Sequence, residues 1–145
     1  MQTAGRTALS RDAVFPSHTP DLLAGELSLE WNAVCREHCN VLVEAPPAAV
    51  GQFLEALRPY LRTPIQEHRP KAGVPMPRPA EGSLILLEVA SLGQKEQAEL
   101  LQWLNERDGR IQVAATTSER LFPLVERGSF DAALYYRLNI VRIAI

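Results

Sequence analysis

Cysteine, histidine and cysteine fall within five residues in Cys35-Arg36-Glu37-His38-Cys39. On a helix, Cys35 and Cys39 would share a face with His38 beside them. Ligands of these types suit zinc, but a structural zinc takes four. His18 and His68 are the other histidines, and neither stands at a spacing that completes a set. The alternative is a pair of buried thiols at a helix end, so no metal site is assigned. A thiol–imidazole catalytic pair needs a defined mutual geometry, which closeness in sequence does not supply. No serine lies in a G-x-S-x-G turn. Glu88 stands near the end of the apolar run Ser83–Val89. A lone carboxylate there activates water only beside a metal or phosphate; otherwise it bonds to backbone or solvent. Tyr135 and Tyr136 could stack on a base, but no basic groove accompanies them, which leaves core or interface roles. No catalytic residue is assigned.

The elements that must position these residues alternate in type. Asp21–Glu37 carries Leu22, Leu23, Leu27, Trp31 and Val34 at helical spacing. Asn40–Val43 is a short apolar run suited to a buried strand. Ala48–Leu61 places Val50, Phe53, Leu54, Leu57 and Leu61 on one helical face. Between Arg62 and Glu81, Pro64, Pro70, Pro75, Pro77 and Pro79 leave room for one short strand at Pro64–Glu67 and an extended loop. Ser83–Val89 reads as a strand covered on both faces. Ser91 and Gln94 form a capping box for a helix that buries Ala98, Leu101 and Leu104, with Trp103 at its margin. Gly109 marks the return to a strand over Ile111–Ala115. Short helices over Glu119–Glu126 and Ser129–Tyr136 precede a last strand, Asn139–Ile145. Strands alternating with helices predict a three-layer α/β sandwich around a mainly parallel sheet of about five strands.

The 145 residues suit one domain, expected over residues 21–145 behind a flexible leader of residues 1–20. Fifteen basic and seventeen acidic residues give a net charge of −2, which argues against direct nucleic-acid binding. No apolar stretch approaches the roughly 20 residues that span a bilayer. The N-terminus has no continuous apolar segment of a signal peptide. A cytoplasmic protein with reduced thiols is expected.

Three segments carry a family resemblance. Gly82-Ser-Leu-Ile-Leu-Leu-Glu-Val89 resembles the Walker B strand G-T-L-F-L-D-E-I of bacterial sigma-54 activator ATPases. Val113-Ala-Ala-Thr-Thr117 resembles their sensor strand, which ends A-A-T-N. Gly128-Ser-Phe-Asp-Ala-Ala-Leu-Tyr-Tyr-Arg-Leu-Asn139 resembles their stretch G-R-F-R-E-D-L-Y-Y-R-L-N, and is the most specific match. The resemblance is strong over Gly82–Ile145 and weaker over Asn40–Leu61. It implies a P-loop NTPase (AAA+) core without the family's helical lid, truncated and degenerate.

The departures fall on the family's chemistry. A P-loop reads G-x-x-x-x-G-K-[ST], so that glycines let backbone N–H groups approach phosphates and lysine neutralises them. Here the segment is Ala45-Pro46-Pro47-Ala48-Ala49-Val50-Gly51-Gln52. Two prolines remove donors, and no cation stands at the lysine position. Leu87 replaces the magnesium-binding aspartate, Thr117 the sensor asparagine, and Asp131 an arginine. The engagement loop G-A-F-T-G-A is missing between Leu61 and Gly82. Glu88, Thr117 and Arg137 are therefore vestigial nucleotide-site positions, and no cofactor is expected. In the family the arginine at position 137 faces nucleotide and subunit interface. Here it is expected to fix the last helix by pairing with an acidic group. The resemblance implies a regulatory, protein-binding module of transcription control whose partner is a second copy or a full-length sigma-54 activator. Tyr135, Tyr136 and Arg137 are the interface candidates. A residual ATPase assisted by a partner is the alternative. The loop Pro70–Pro79 reads either as a polyproline ligand or as the closure of the gap left by the missing insertion.

Overall fold

The computed structural model describes residues 28–107 and 110–145. The expected leader 1–20, the first part of the helix expected from Asp21, and the turn at Gly109 lie outside them.

Five strands form one wholly parallel sheet: β1 (Val41–Glu44), β2 (Ile65–His68), β3 (Gly82–Leu86), β4 (Ile111–Thr117) and β5 (Val141–Ala144). Their order across the sheet is β2-β3-β4-β1-β5. The sequence sets this order through burial. Strands β1, β3 and β4 are mainly apolar and buried at every position, so they take the middle. β5 alternates, with Val141 and Ile143 buried and Arg142 and Ala144 exposed, and it takes one edge. β2 carries exposed Gln66 and Glu67 and takes the other.

Side chains alternate across the sheet into two apolar layers. Val41, Val43, Ile85, Ala114, Val141 and Ile143 face α1 (Ser28–Arg36) and α2 (Pro47–Leu57). Trp31 of α1 anchors this layer, edge-on to Phe53 of α2 at 5.8 Å and to Tyr60 at 5.8 Å. Leu42, Leu84, Leu86, Val113 and Ala115 face α3 (Gln94–Glu106), α4 (Phe122–Glu126) and α5 (Ala132–Leu138). The result is the three-layer sandwich expected from the alternation of elements.

Three local details depart from expectation. α3 is turned so that Gln97, Leu100, Trp103 and Leu104 are buried, while Ala98 is exposed and Leu101 only half-buried. Trp103 is therefore core rather than margin. Gln97 pins the helix from inside: its Nε2 donates to the Leu92 and Ser129 carbonyls, and its Oε1 accepts from the Asp131 N–H at 2.7 Å. The cap of α3 is Gly93, not Ser91. Ser91 belongs to a 3-10 turn, and its hydroxyl donates to the Glu88 carbonyl at 2.8 Å. β3 also stops at Leu86, because Glu88 takes left-handed backbone angles, φ 52° and ψ 56°.

Gly82 opens β3 at φ 92°, and a Cβ there would lie 2.1 Å from the Pro64 carbonyl oxygen. Only glycine lets that chain pass. Asn40 ties the same end of the sheet together. Its side chain donates to the Arg137 carbonyl at 2.9 Å and accepts from the Val113 N–H at 2.8 Å.

Candidate functional site

In an open parallel sheet the binding crevice lies at the C-terminal strand ends, where the strand order reverses. Here β1 leads outward towards β2, and β4 leads across β1 to β5, so the crevice lies around the ends of β1 and β4. Glu44, Ala45, Thr116, Thr117 and Glu88 gather there.

The chain from β1 to α2 makes no phosphate cradle. Pro46 caps α2 with φ −59° and ψ 151°, and Pro47 is its first residue. Neither has an N–H to offer. The Ala49 and Val50 amides donate back to the Pro46 carbonyl at 2.9 and 3.1 Å, in an ordinary helix start. The Ala45 N–H goes to the Thr117 carbonyl at 3.0 Å. Gly51 lies exposed within α2, where a side chain would meet nothing within 4 Å. It therefore answers no close backbone approach. The residues present do not fit a bound nucleotide's phosphates.

An internal ion pair stands beside this crevice. Glu44, at the end of β1, is buried with only 6% of its surface exposed. One carboxylate oxygen, Oε1, accepts from Arg142 Nε at 2.8 Å and lies 2.7 Å from Arg142 Nη2. The other accepts from the Leu121 N–H at 3.0 Å. The adjoining cleft of about 590 Å³ is lined by both members of the pair with Pro46, Pro47, Ser118 and Arg120. The pair was not anticipated. Its only signals are a carboxylate ending a buried strand and an arginine at an outward position of the last one.

Glu88 is half-buried on the rim of the crevice. Its N–H donates to Thr116 Oγ1 at 3.3 Å, and its carboxylate accepts from the Ser118 N–H at 3.2 Å and hydroxyl at 2.9 Å. It thus ties the end of β3 to the end of β4. Thr117 is buried, and its hydroxyl donates to the Glu119 carbonyl at 2.8 Å. Leu87 offers no oxygen for a magnesium ion, and its N–H donates to the His68 carbonyl at 2.9 Å.

Arg137 is not at this end. α5 runs back along the sheet and delivers it to the opposite, N-terminal edge. There Nη1 donates to Asn105 Oδ1 at 2.8 Å and Nη2 to the Leu104 carbonyl at 3.0 Å, in the last turn of α3. Cations are favoured at a helix C-terminus. These two contacts tie the last helix to the end of α3. Within one chain Arg137 is thus separated from Glu88 and Thr117. Asp131 has a local purpose as the cap of α5, accepting from the Leu134 N–H at 2.9 Å.

The two tyrosines face apart. Tyr135 is 5% exposed and packs between Phe122 and Tyr136, with centroids at 5.9 and 5.1 Å. It is a core residue rather than a surface one. Tyr136 is 59% exposed, and Phe122 is 41% exposed. Sequence reading missed Phe122, which precedes Pro123 in a segment expected to be helical.

Cys35 is buried, and burial pushes its thiol up to about 12, with Arg36 acting weakly the other way. Such a thiol is not a nucleophile at neutral pH. Cys39 is a half-buried free thiol. His38 Nδ1 lies 3.3 Å from Gln112 Oε1, while Gln112 Nε2 donates to the Val34 and Cys39 carbonyls at 2.8 and 3.0 Å. This sequence cluster therefore ties α1 to β4. Among the described residues no group of three or more metal-ligand types comes together, and no helix is long and apolar enough to cross a membrane.

A family model described as the sigma-54 interaction domain matches residues 68–145, more than half of the chain. The HTH-type transcriptional regulatory protein TyrR of Enterobacter agglomerans is 33% identical over 73 residues, covering 43% of this chain and 14% of its own length. The phenol regulator MopR of Acinetobacter guillouiae is 37% identical over 75 residues, covering 44% and 13%. The chain thus corresponds to a small part of these relatives. NtrX from Brucella abortus, solved with ADP, superposes with a TM-score of 0.64 at 19% identity over 81% of this chain and 34% of its own. The P-loop NTPase domain of a sigma-54 transport activator from E. coli gives 0.58 at 16% identity, over 79% of this chain and 96% of its own. At these identities the structural likeness is one of fold.

Proposed function

The chain belongs to the sigma-54 interaction domain family, and from that membership we propose that it is a non-hydrolysing, protein-binding module of transcription regulation in the bacterial cytoplasm. The observation that carries this reading is the crevice. Where the fold places phosphates, this chain has two prolines without N–H groups and a buried carboxylate held by Arg142. A phosphate would meet an internal carboxylate–guanidinium pair instead of a lysine beside backbone N–H donors. Magnesium would meet Leu87.

The partner we propose is a second copy of the chain or a full-length sigma-54 activator. The contact surface centres on Tyr136 and Phe122, exposed aromatics that supply large contact area at low entropic cost. Tyr135 supports them from beneath, and Arg137 holds α5 in place.

Calorimetry with ATP or ADP and magnesium tests the first half. No saturable heat at millimolar nucleotide is the expected result. Saturable binding would restore the competing reading, an ATPase completed by a partner. One observation favours that reading: Glu88 still reaches the crevice rim. It predicts phosphate release that Glu88→Gln abolishes. The second half is tested by sedimentation of the chain alone and with a sigma-54 activator, with and without Tyr136→Ala. A monomer that ignores the activator would end it.

A further inference from the structure

We propose that a second copy of the chain pairs with the outer edge of β5, strand against antiparallel strand, across a two-fold axis normal to the sheet. This contact does not rest on the aromatic surface proposed above. β5 ends the strand order and is bonded to β1 on its inner side. The Val141 and Ile145 N–H groups donate to the Asn40 and Glu44 carbonyls at 3.0 and 2.8 Å. A parallel ladder repeats every two residues, so Val141, Ile143 and Ile145 face β1, while Arg142 and Ala144 turn N–H and C=O outward. Among the described residues no strand meets these outward groups.

An open edge is a template for another strand, and chains commonly blunt it with proline or charge. β2, at the other edge, is blunted in this way. It lies between Pro64 and Pro70, and it carries exposed Glu67, paired with Arg58, at an outward position. β5 has neither guard. No proline lies between Val141 and Ile145. Its one charged side chain, Arg142, is drawn back over β1 by Glu44, with Nε at 2.8 Å and Nη2 at 2.7 Å from the same oxygen. Ile140 and Ile145, at its two ends, are 58% and 40% exposed.

The outward row is complementary to itself. A two-fold normal to the sheet makes the contact isologous, and it keeps both α1 helices, which pack against β5, on one face. Outward positions must then meet outward positions. Like charges directly opposite each other are destabilising, which disfavours Arg142 against its own copy. The register that uses both outward residues and avoids that clash sets Arg142 of each copy against Ala144 of the other. Each such pair exchanges two N–H···O bonds. Ile143 then lies beside Ile143 of the second copy, and exposed Ile145 lies beside its Val141. The apolar layer under α1, to which Val141 and Ile143 belong, continues from one copy into the next.

So short a ladder binds weakly, and the expected Kd is about 100 µM. Sedimentation equilibrium of the whole chain between about 10 µM and about 1 mM should follow monomer passing to dimer. Over that range amide exchange at Arg142 and Ala144 should slow about threefold or more, and by more than at Val141 and Ile143, which are already bonded within the chain. Ala144→Pro removes an N–H that has no use inside one chain, at the kind of edge position where proline is tolerated. It should fold as the parent does and weaken association about tenfold or more. If it fails to fold, Ile145→Asp carries the test with a similar loss of about tenfold, because it sets a carboxylate against Val141 of the second copy. Absence of a dimer at about 1 mM chain, unchanged exchange at Arg142 and Ala144, or a folded Ala144→Pro chain that sediments as the parent does overturns the proposal. Dimers lost in Tyr136→Ala but kept in Ala144→Pro would uphold the aromatic contact and overturn this one.

Discussion

At the C-terminal end of the sheet, opposite charges meet inside the protein. Glu44 and Arg142 come from adjacent strands, and the Leu121 amide takes the remaining oxygen. At the N-terminal end, Arg62, Arg107 and Arg137 line a cavity with Glu37, and the buried Arg107 Nε keeps no partner among the described residues. The fold family uses the first end for nucleotide. In this chain the carboxylates at that end find partners within the chain, Glu44 with Arg142 and Glu88 with Ser118. A ligand entering there would have to displace these internal partners. Loss of a lysine alone would leave a polar crevice open.

The largest effect expected from disturbing either end is at Gly82. Alanine there would put a carbon against the Pro64 carbonyl at a positive φ. We expect Gly82→Ala to cost about 3 kcal/mol or more, a large share of the roughly 5–15 kcal/mol that holds an ordinary domain. Chemical denaturation measures it. A cost below about 1 kcal/mol would mean that β2 and β3 can part at this edge, and that the N-terminal end is looser than its packing indicates.

The ion pair comes next. Arg142→Met leaves Glu44 buried with its amide partner alone. Breaking a fully buried pair costs about 3–5 kcal/mol. Arg142 is 39% exposed, so water screens the pair and about 2 kcal/mol is the better expectation. Adding Glu44→Gln removes the orphaned charge, and the double variant should recover part of the loss. Equal stabilities for single and double variants would show that the two side chains are not coupled, and the contrast between the ends would lose its main support.

Much of the fold was legible in the sequence, and the reason is physical. Central strands of a parallel sheet are apolar on both faces, and Val41–Val43, Ser83–Leu86 and Ile111–Ala115 stand out as such runs. Helix phase was harder. On α3, buried Gln97 looks like a surface residue and exposed Ala98 like a core one. What settles the phase is the bonding of Gln97 to three backbone groups outside its helix, two of them more than 30 residues away, which no periodicity reports. The candidate site was legible only as loss. Ala45-Pro46-Pro47 and Leu87 announce what the crevice lacks. That Glu44 meets Arg142, 98 residues away, appears only when β5 lies down beside β1. Arg137 carried the family motif, yet the run of α5 takes it to the other edge. Asp131 had an unforeseen local reason as a helix cap.

That cap provides a smaller test of how α5 reaches the N-terminal edge. Asp131→Ala removes the bond to the Leu134 N–H and should cost about 1 kcal/mol. Because α5 delivers Arg137, the same variant should also weaken the contact with Leu104 and Asn105. Faster amide exchange in the last turn of α3 would report that coupling, and unchanged exchange would show that the Arg137 contacts do not depend on this cap.

The smallest effect comes from Cys35, on the helix whose end borders the arginine cavity. Its thiol is raised from 9.0 to about 12 because burial disfavours the thiolate. The folded chain therefore holds this proton more tightly than the unfolded chain. Below pH 9 both states keep it and stability does not depend on it. Above that, the unfolded chain alone gives the proton up, so stability falls as pH rises, by up to about 1.4 kcal/mol per unit until the folded value is reached. At pH 9.5 the loss relative to pH 7 should be about 0.8 kcal/mol, and Cys35→Ala should abolish that part of the slope whatever its offset at pH 7. Urea unfolding of both chains at pH 7, 9 and 9.5 decides it. Parallel curves would mean that water reaches the thiol, and that the layer beneath α1 opens at the same edge where the arginines gather.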